Sequence, residues 1–75
     1  MSEKLPRVTA ADAVGALQRA GFTLARQSGS HRILKNAAGR RVTVPFHSGT
    51  ILHPKLLKSI LRDAGLTVPA FRELL

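Results

Sequence analysis

Gly29, Ser30 and His31 stand between two strand-like runs of a strongly basic chain. A histidine that opens a strand just after a glycine turn can carry protons near neutral pH, because a free imidazole titrates close to pH 6.5. Gly29 and Ser30 ahead of it offer close backbone approach and the amide and hydroxyl donors that hold a phosphate. Cations surround the motif in sequence: Arg32, Lys35, Arg40, Arg41, and further on Lys55 and Lys58. Such a set is the minimum equipment for cutting RNA without a metal, since the ribose 2′-hydroxyl is itself the nucleophile. The protein then needs only groups that move protons to and from the reacting oxygens, and cations for the charged transition state. His31 is the candidate proton carrier. From the tripeptide alone the more usual reading is an exposed polar residue at the start of a strand. Strand parity sets it on the face of Ile33, and alternation leaves open whether that face is buried.

The other histidines are more ambiguous. His47 follows the third strand-like run and fits a complementary acid, a phosphate ligand or a turn residue. His53 directly precedes Pro54 and reads as a local cap or a solvent-facing residue. No pair has the helical spacing of metal ligands and the chain has no cysteine, so neither a metal nor another cofactor is expected.

Twelve Lys and Arg against four Asp and Glu give a formal charge of +8 and a pI near 11.8. Such an imbalance points to a polyanionic partner. The cations are spread along the chain, which implies a folded charged surface and not a basic tail. No apolar run approaches the roughly 18–20 residues of a membrane span, and Met1 to Arg7 lacks the apolar centre of a secretory signal. A cytoplasmic protein with no membrane partner is expected. The 75 residues suffice for one domain, residues 1–75, with 1–8 as the end expected to fray.

The elements that must position these groups follow from pattern. Thr9 and Asp12 have capping-box spacing ahead of Ala10, Ala13, Val14 and Leu17, which recur at helical period. Gly21 and Phe22 close that helix near Ala20. Alternation then predicts a strand from Phe22 to about Gln27, a turn at Ser28-Gly29-Ser30, a strand from His31 to Lys35, a connection at Asn36 to Gly39, and a strand from Arg41 to Pro45. Pro45 must end that strand or lie on an edge, since it has no amide to donate. Phe46 to Thr50 reads as a loop. Pro54 opens a second helix with Leu57, Ile60, Leu61 and Ala64 on one side and Lys55, Lys58 and Arg62 on the other. Thr67 caps a last short helix with Phe71 and Leu74. The expected fold is α+β, helix-strand-strand-strand-helix, with a three-stranded antiparallel sheet, a short C-terminal helix, and both main helices on one face.

Gly21-Phe22, Gly29-Ser30-His31, the run from Gly39 to Gly49, and Ile60 to Leu66 resemble, in order and spacing, the HicA (YcfA-like) toxins of bacterial toxin-antitoxin systems. The likeness spans about Thr9 to Leu75. It implies a double-stranded-RNA-binding-domain-like fold, metal-free cleavage of mRNA, and silencing by a HicB-type antitoxin. In that family the histidine of the Gly-Ser-His motif is the catalytic one, which here is His31. The residue between the proline and histidine after the third strand is commonly arginine in these toxins. This chain has Phe46, which removes a phosphate contact or supplies a base-stacking surface. The expected RNA-binding set is Gly29, Ser30, Arg32, Lys35, Arg40, Arg41, Phe46, His47, Lys55 and Lys58. The rival reading is a non-catalytic module that grips duplex RNA by shape.

Overall fold

In the computed structural model, which describes residues 4–47 and 49–75, the chain runs α1 (Ala10–Arg19), β1 (Thr23–Ser28), β2 (His31–Lys35), β3 (Arg41–Pro45), α2 (Pro54–Ala64), α3 (Val68–Glu73). The three strands form one antiparallel sheet in the order β1-β2-β3. This is the α+β arrangement expected from the pattern. Ser48, in the loop predicted from Phe46 to Thr50, and residues 1–3, in the end expected to fray, lie outside the described residues.

Helix α1 begins where its caps dictate. The Thr9 hydroxyl accepts from the Asp12 amide at 3.2 Å and the Asp12 carboxylate accepts from the Thr9 amide at 3.0 Å, so two otherwise orphaned donors are satisfied reciprocally. At its far end the Phe22 amide donates to the Leu17 carbonyl at 3.0 Å and the Gly21 amide to Gln18 at 3.1 Å. Helix α2 ends the same way, with Leu66 donating to Leu61 and Gly65 to Arg62. Gly65 has φ +73°, a backbone conformation that calls for glycine; a Cβ there would also meet the Arg40 guanidinium at 2.7 Å and push that flexible side-chain end aside.

Both helices pack against β3 from one side. Val42 and Val44 of β3 and Leu34 of β2 are buried under Leu17 of α1, Leu57 and Ile60 of α2, and Phe71 of α3, all members of one apolar cluster. Strand β1 receives no such cover and is exposed along its length. Leu24 pairs with buried Leu34 and so points to the helix side, yet it is 45% exposed because the helices do not reach that far. The predicted Phe22 start is also shifted: Phe22 belongs to the α1 cap and the core, and pairing begins at Thr23. An irregularity between Leu24 and Arg26 leaves Ala25 without a partner.

The approaches to the two helices are stitched together. Thr9 and Ile51 form an isolated bridge and the Leu52 amide donates to the Val8 carbonyl at 2.8 Å. Residues 4–8, expected to fray, are further held by Arg72, whose guanidinium donates to the Lys4 carbonyl at 2.6 Å. Arg19 likewise donates to the Leu74 carbonyl at 2.9 Å. No helix of the described residues is long and apolar enough to cross a membrane.

Phe71 is fully buried although its helix has only six residues, so α3 is held by docking and not by helix propensity. Phe71→Ala is expected to lower stability by about 3–5 kcal/mol in a urea titration followed by circular dichroism. Leu24→Ala on the uncovered strand should shift it by less than about 1 kcal/mol.

Candidate functional site

The Gly-Ser-His motif lies at one end of the sheet. Ser28 and His31 are the last pair of the β1-β2 ladder, which leaves Gly29 and Ser30 as a two-residue turn. Gly29 has φ +57° and no non-glycine residue among those described, Ser30 included, has positive φ, the pattern of a type II′ hairpin. Among the described residues nothing lies within 4 Å of where a Cβ at Gly29 would stand, so backbone conformation makes glycine the fitting residue. From the other side, the Ser30 carbonyl accepts from the Phe46 amide just beyond β3. The turn is therefore anchored to both neighbours of β2, and His31 stands exposed between Ser28 and Pro45, its partners on either side.

Register assigns the rest of that face. Leu34 points into the core, so His31, Ile33 and Lys35 point away from the helices. Their partners are Ser28 and Pro45 for His31, Arg26 and Thr43 for Ile33, and Thr23 and Arg41 for Lys35. The open face thus carries a histidine, three cations and no acidic residue. Lys35 and Arg41 oppose each other directly, a like-charge pair that works against the fold. Lys35 is four residues along the strand from His31, about 13 Å away. Among the described residues the single ion pair is Arg62 with Asp63 at 3.8 Å, so these cations are not neutralised by carboxylates.

Several expected RNA-binding residues stand elsewhere. Arg32 is next to His31 in sequence and therefore on the opposite face, paired with Gln27 and buried Val44. Its guanidinium carbon lies 3.7 Å from the centroid of the Phe46 ring, while its buried Nε has no hydrogen-bond partner among the described residues. Phe46 is itself half-buried against the core. One ring face that was expected to meet an RNA base is thus occupied by Arg32. Arg40 lies over Gly65 and donates to the Asp63 carbonyl at 3.3 Å, binding the β2-β3 turn to the end of α2. Lys55 and Lys58 are exposed on α2, in the helix layer.

The remaining histidines gather near the His31 end of the sheet. His53 caps α2, its Nδ1 accepting from the Lys55 amide at 3.1 Å, which is the local-cap reading of the sequence. His47 is exposed and shares with His53, Pro45, Thr50 and Leu56 the lining of a cavity of about 220 Å³. Among the described residues no group of His, Cys, Asp or Glu is placed to hold a metal.

The residue that sequence reading left out of the site is Arg26. Strict alternation from Leu24 aims Arg26 at the helix side. The irregularity at Ala25 turns it to the open face opposite Ile33. A cross-strand register was the missing signal.

Compared with known proteins, the chain is matched over residues 10–66 by the family model of the HicA toxin of bacterial toxin-antitoxin systems. No curated protein matches it.

The opposed Lys35 and Arg41 give a direct test of whether this face is optimised for the fold. Lys35→Glu replaces a like pair by an opposite pair and is expected to raise stability by about 0.5 kcal/mol at low salt, with the gain fading at about 1 M salt. Thermal melts at the two salt concentrations measure it.

Proposed function

On the premise that the chain belongs to the HicA toxin family of bacterial toxin-antitoxin systems, we propose that it is an endoribonuclease that cleaves mRNA without a metal, with His31 as its proton-transfer group. The observation that carries this reading is the exposed imidazole of His31 on an anchored hairpin end, on a sheet face whose cations have no acidic partner among the described residues.

The chemistry begins with the 2′-hydroxyl. Its oxygen attacks the adjacent phosphorus as its proton leaves, the bond from phosphorus to the 5′-oxygen breaks, and that oxygen takes a proton. The products are a 2′,3′-cyclic phosphate and a free 5′-hydroxyl. An imidazole beside the ribose carries one of these protons, a service worth about 10²–10⁴ in rate. Gly29 and Ser30 let the backbone approach the phosphate closely and offer amide and hydroxyl donors to its oxygens. Fixing the turn from both sides keeps the donors in place without reorganisation during the reaction.

A toxin of this family has a cognate antitoxin. In this reading the antitoxin is of the HicB type and covers the basic face around His31, neutralising charge and blocking the imidazole together. The site of action is the cytoplasm, where mRNA is translated.

Incubating wild type and His31→Ala with single-stranded RNA in excess chelator, then analysing the product ends, tests the reading. Wild type is expected to yield cyclic phosphates and 5′-hydroxyls. His31→Ala should cut at least about 10²-fold more slowly while still binding RNA. Equal cleavage by the two proteins, or RNA binding by wild type with no cleavage, would overturn it.

A further inference from the structure

We infer that the substrate is a single RNA strand lying across the open sheet face, running from the Gly29–His31 turn toward Arg26, Lys35 and Arg41, and not along the cationic stripe of α2. The inference rests on His31 as the cleaving group and adds the path of the RNA and its strandedness.

Two cationic surfaces among the described residues are candidates for the strand. One is the open face, where Arg26, Lys35 and Arg41 are exposed and share a side with His31 by the register of both ladders. The other is the outer side of α2, where Lys55, Lys58 and Arg62 are exposed and recur at i, i+3 and i+7. α2 packs on the helix side of β3, so the sheet separates most of this stripe from the face of His31. A strand whose ribose sits at His31 meets the open-face cations along its course. To follow the α2 stripe it must turn around the edge of the sheet.

Charge makes the open face the better ligand for phosphate. Lys35 and Arg41 are opposed with no carboxylate between them, whereas Arg62 of the α2 stripe already has Asp63 at 3.8 Å. The unpaired Ala25 is what brings Arg26 onto the same side, completing a triangle of cations around half-buried Ile33. Such a bulge re-aims a side chain at the expense of ladder regularity.

Size argues for one strand. A five-residue strand is about 17 Å long and the sheet about 10 Å across, room for a few nucleotides. Duplex-binding domains span about 16 base pairs across successive grooves. The reaction agrees, since the 2′-oxygen, phosphorus and leaving oxygen come into line readily only where the backbone is free of a helix.

Two triple variants of equal charge loss decide between the surfaces, each made with His31→Ala so that binding is read without cleavage. The probe is a fluorescein-labelled single-stranded RNA, followed by anisotropy over a salt series. Arg26→Gln, Lys35→Gln and Arg41→Gln together are expected to weaken binding at least tenfold and to flatten the salt slope by about 2, the loss of three phosphate contacts. Lys55→Gln, Lys58→Gln and Arg62→Gln together should change affinity less than threefold. Lys35→Glu alone, a variant the cross-strand pairing favours, should weaken binding at least fivefold. The inference is overturned by a larger loss in the α2 triple, by equal losses in both triples, or by tighter binding of duplex than of single strand. Should His31→Ala still cleave, the assignment of the cleaving group fails instead, and the same two triples compared on a 2′-O-methyl strand, which has no free 2′-hydroxyl to attack, still report the path of the RNA.

Discussion

Everything in this small fold depends on where its helices sit: α1, α2 and α3 draw Leu34, Val42 and Val44 out of water from one side of the sheet. Among the described residues no second layer packs on the other side, and a small domain leaves much of its surface to solvent. A face that contributes little to the core can hold residues chosen for other reasons. Here those are a histidine and cations without acids. Each buried large side chain supplies only about 1.5–3 kcal/mol, so the fold leans on close packing around Phe71, Leu17 and Leu57.

The charged side chains divide into two kinds of work. Arg19, Arg40 and Arg72 reach backbone carbonyls distant in sequence and close the C-terminal tail, the β2-β3 turn and the N-terminal segment onto the body. Arg32 lies on Phe46 and shields its ring. Arg26, Lys35 and Arg41 make no contact of this kind among the described residues, and two of them repel each other across a strand pair. A fold under selection for stability alone removes such a pair easily, which is why the open face reads as a ligand surface.

Mobility of the backbone at His31, the proposed proton-transfer group, is limited by the same geometry. His31 sits where β2 is hydrogen-bonded on both sides, one residue after a turn whose carbonyl is held by Phe46. A histidine on a strand end and not on a free loop has its backbone fixed while its ring stays in solvent.

Much was legible in the sequence because it rests on local physics. The capping box at Thr9 and Asp12, the glycine stops at Gly21 and Gly65, the Gly29 hairpin and the cap at His53 each depend on residues within a few positions of one another. Period-2 and period-3.6 patterns gave the element order and the apolar stripes of both helices. What the sequence left open were matters of face and reach. Alternation put His31 with Ile33 without saying which side was covered, and the placement of the helices over β3 answered that. Neighbouring positions in sequence suggested that Arg32 would serve His31, but successive strand residues point to opposite faces. Arg26 changed sides through one unpaired residue, Arg40 was drawn to the end of α2, and Leu24 stayed exposed because no helix extends over β1. Local hydrogen bonding and periodicity determined the elements. Only the tertiary packing of helices on one sheet face decided which charges share a surface, because that depends on contacts between segments far apart in the chain.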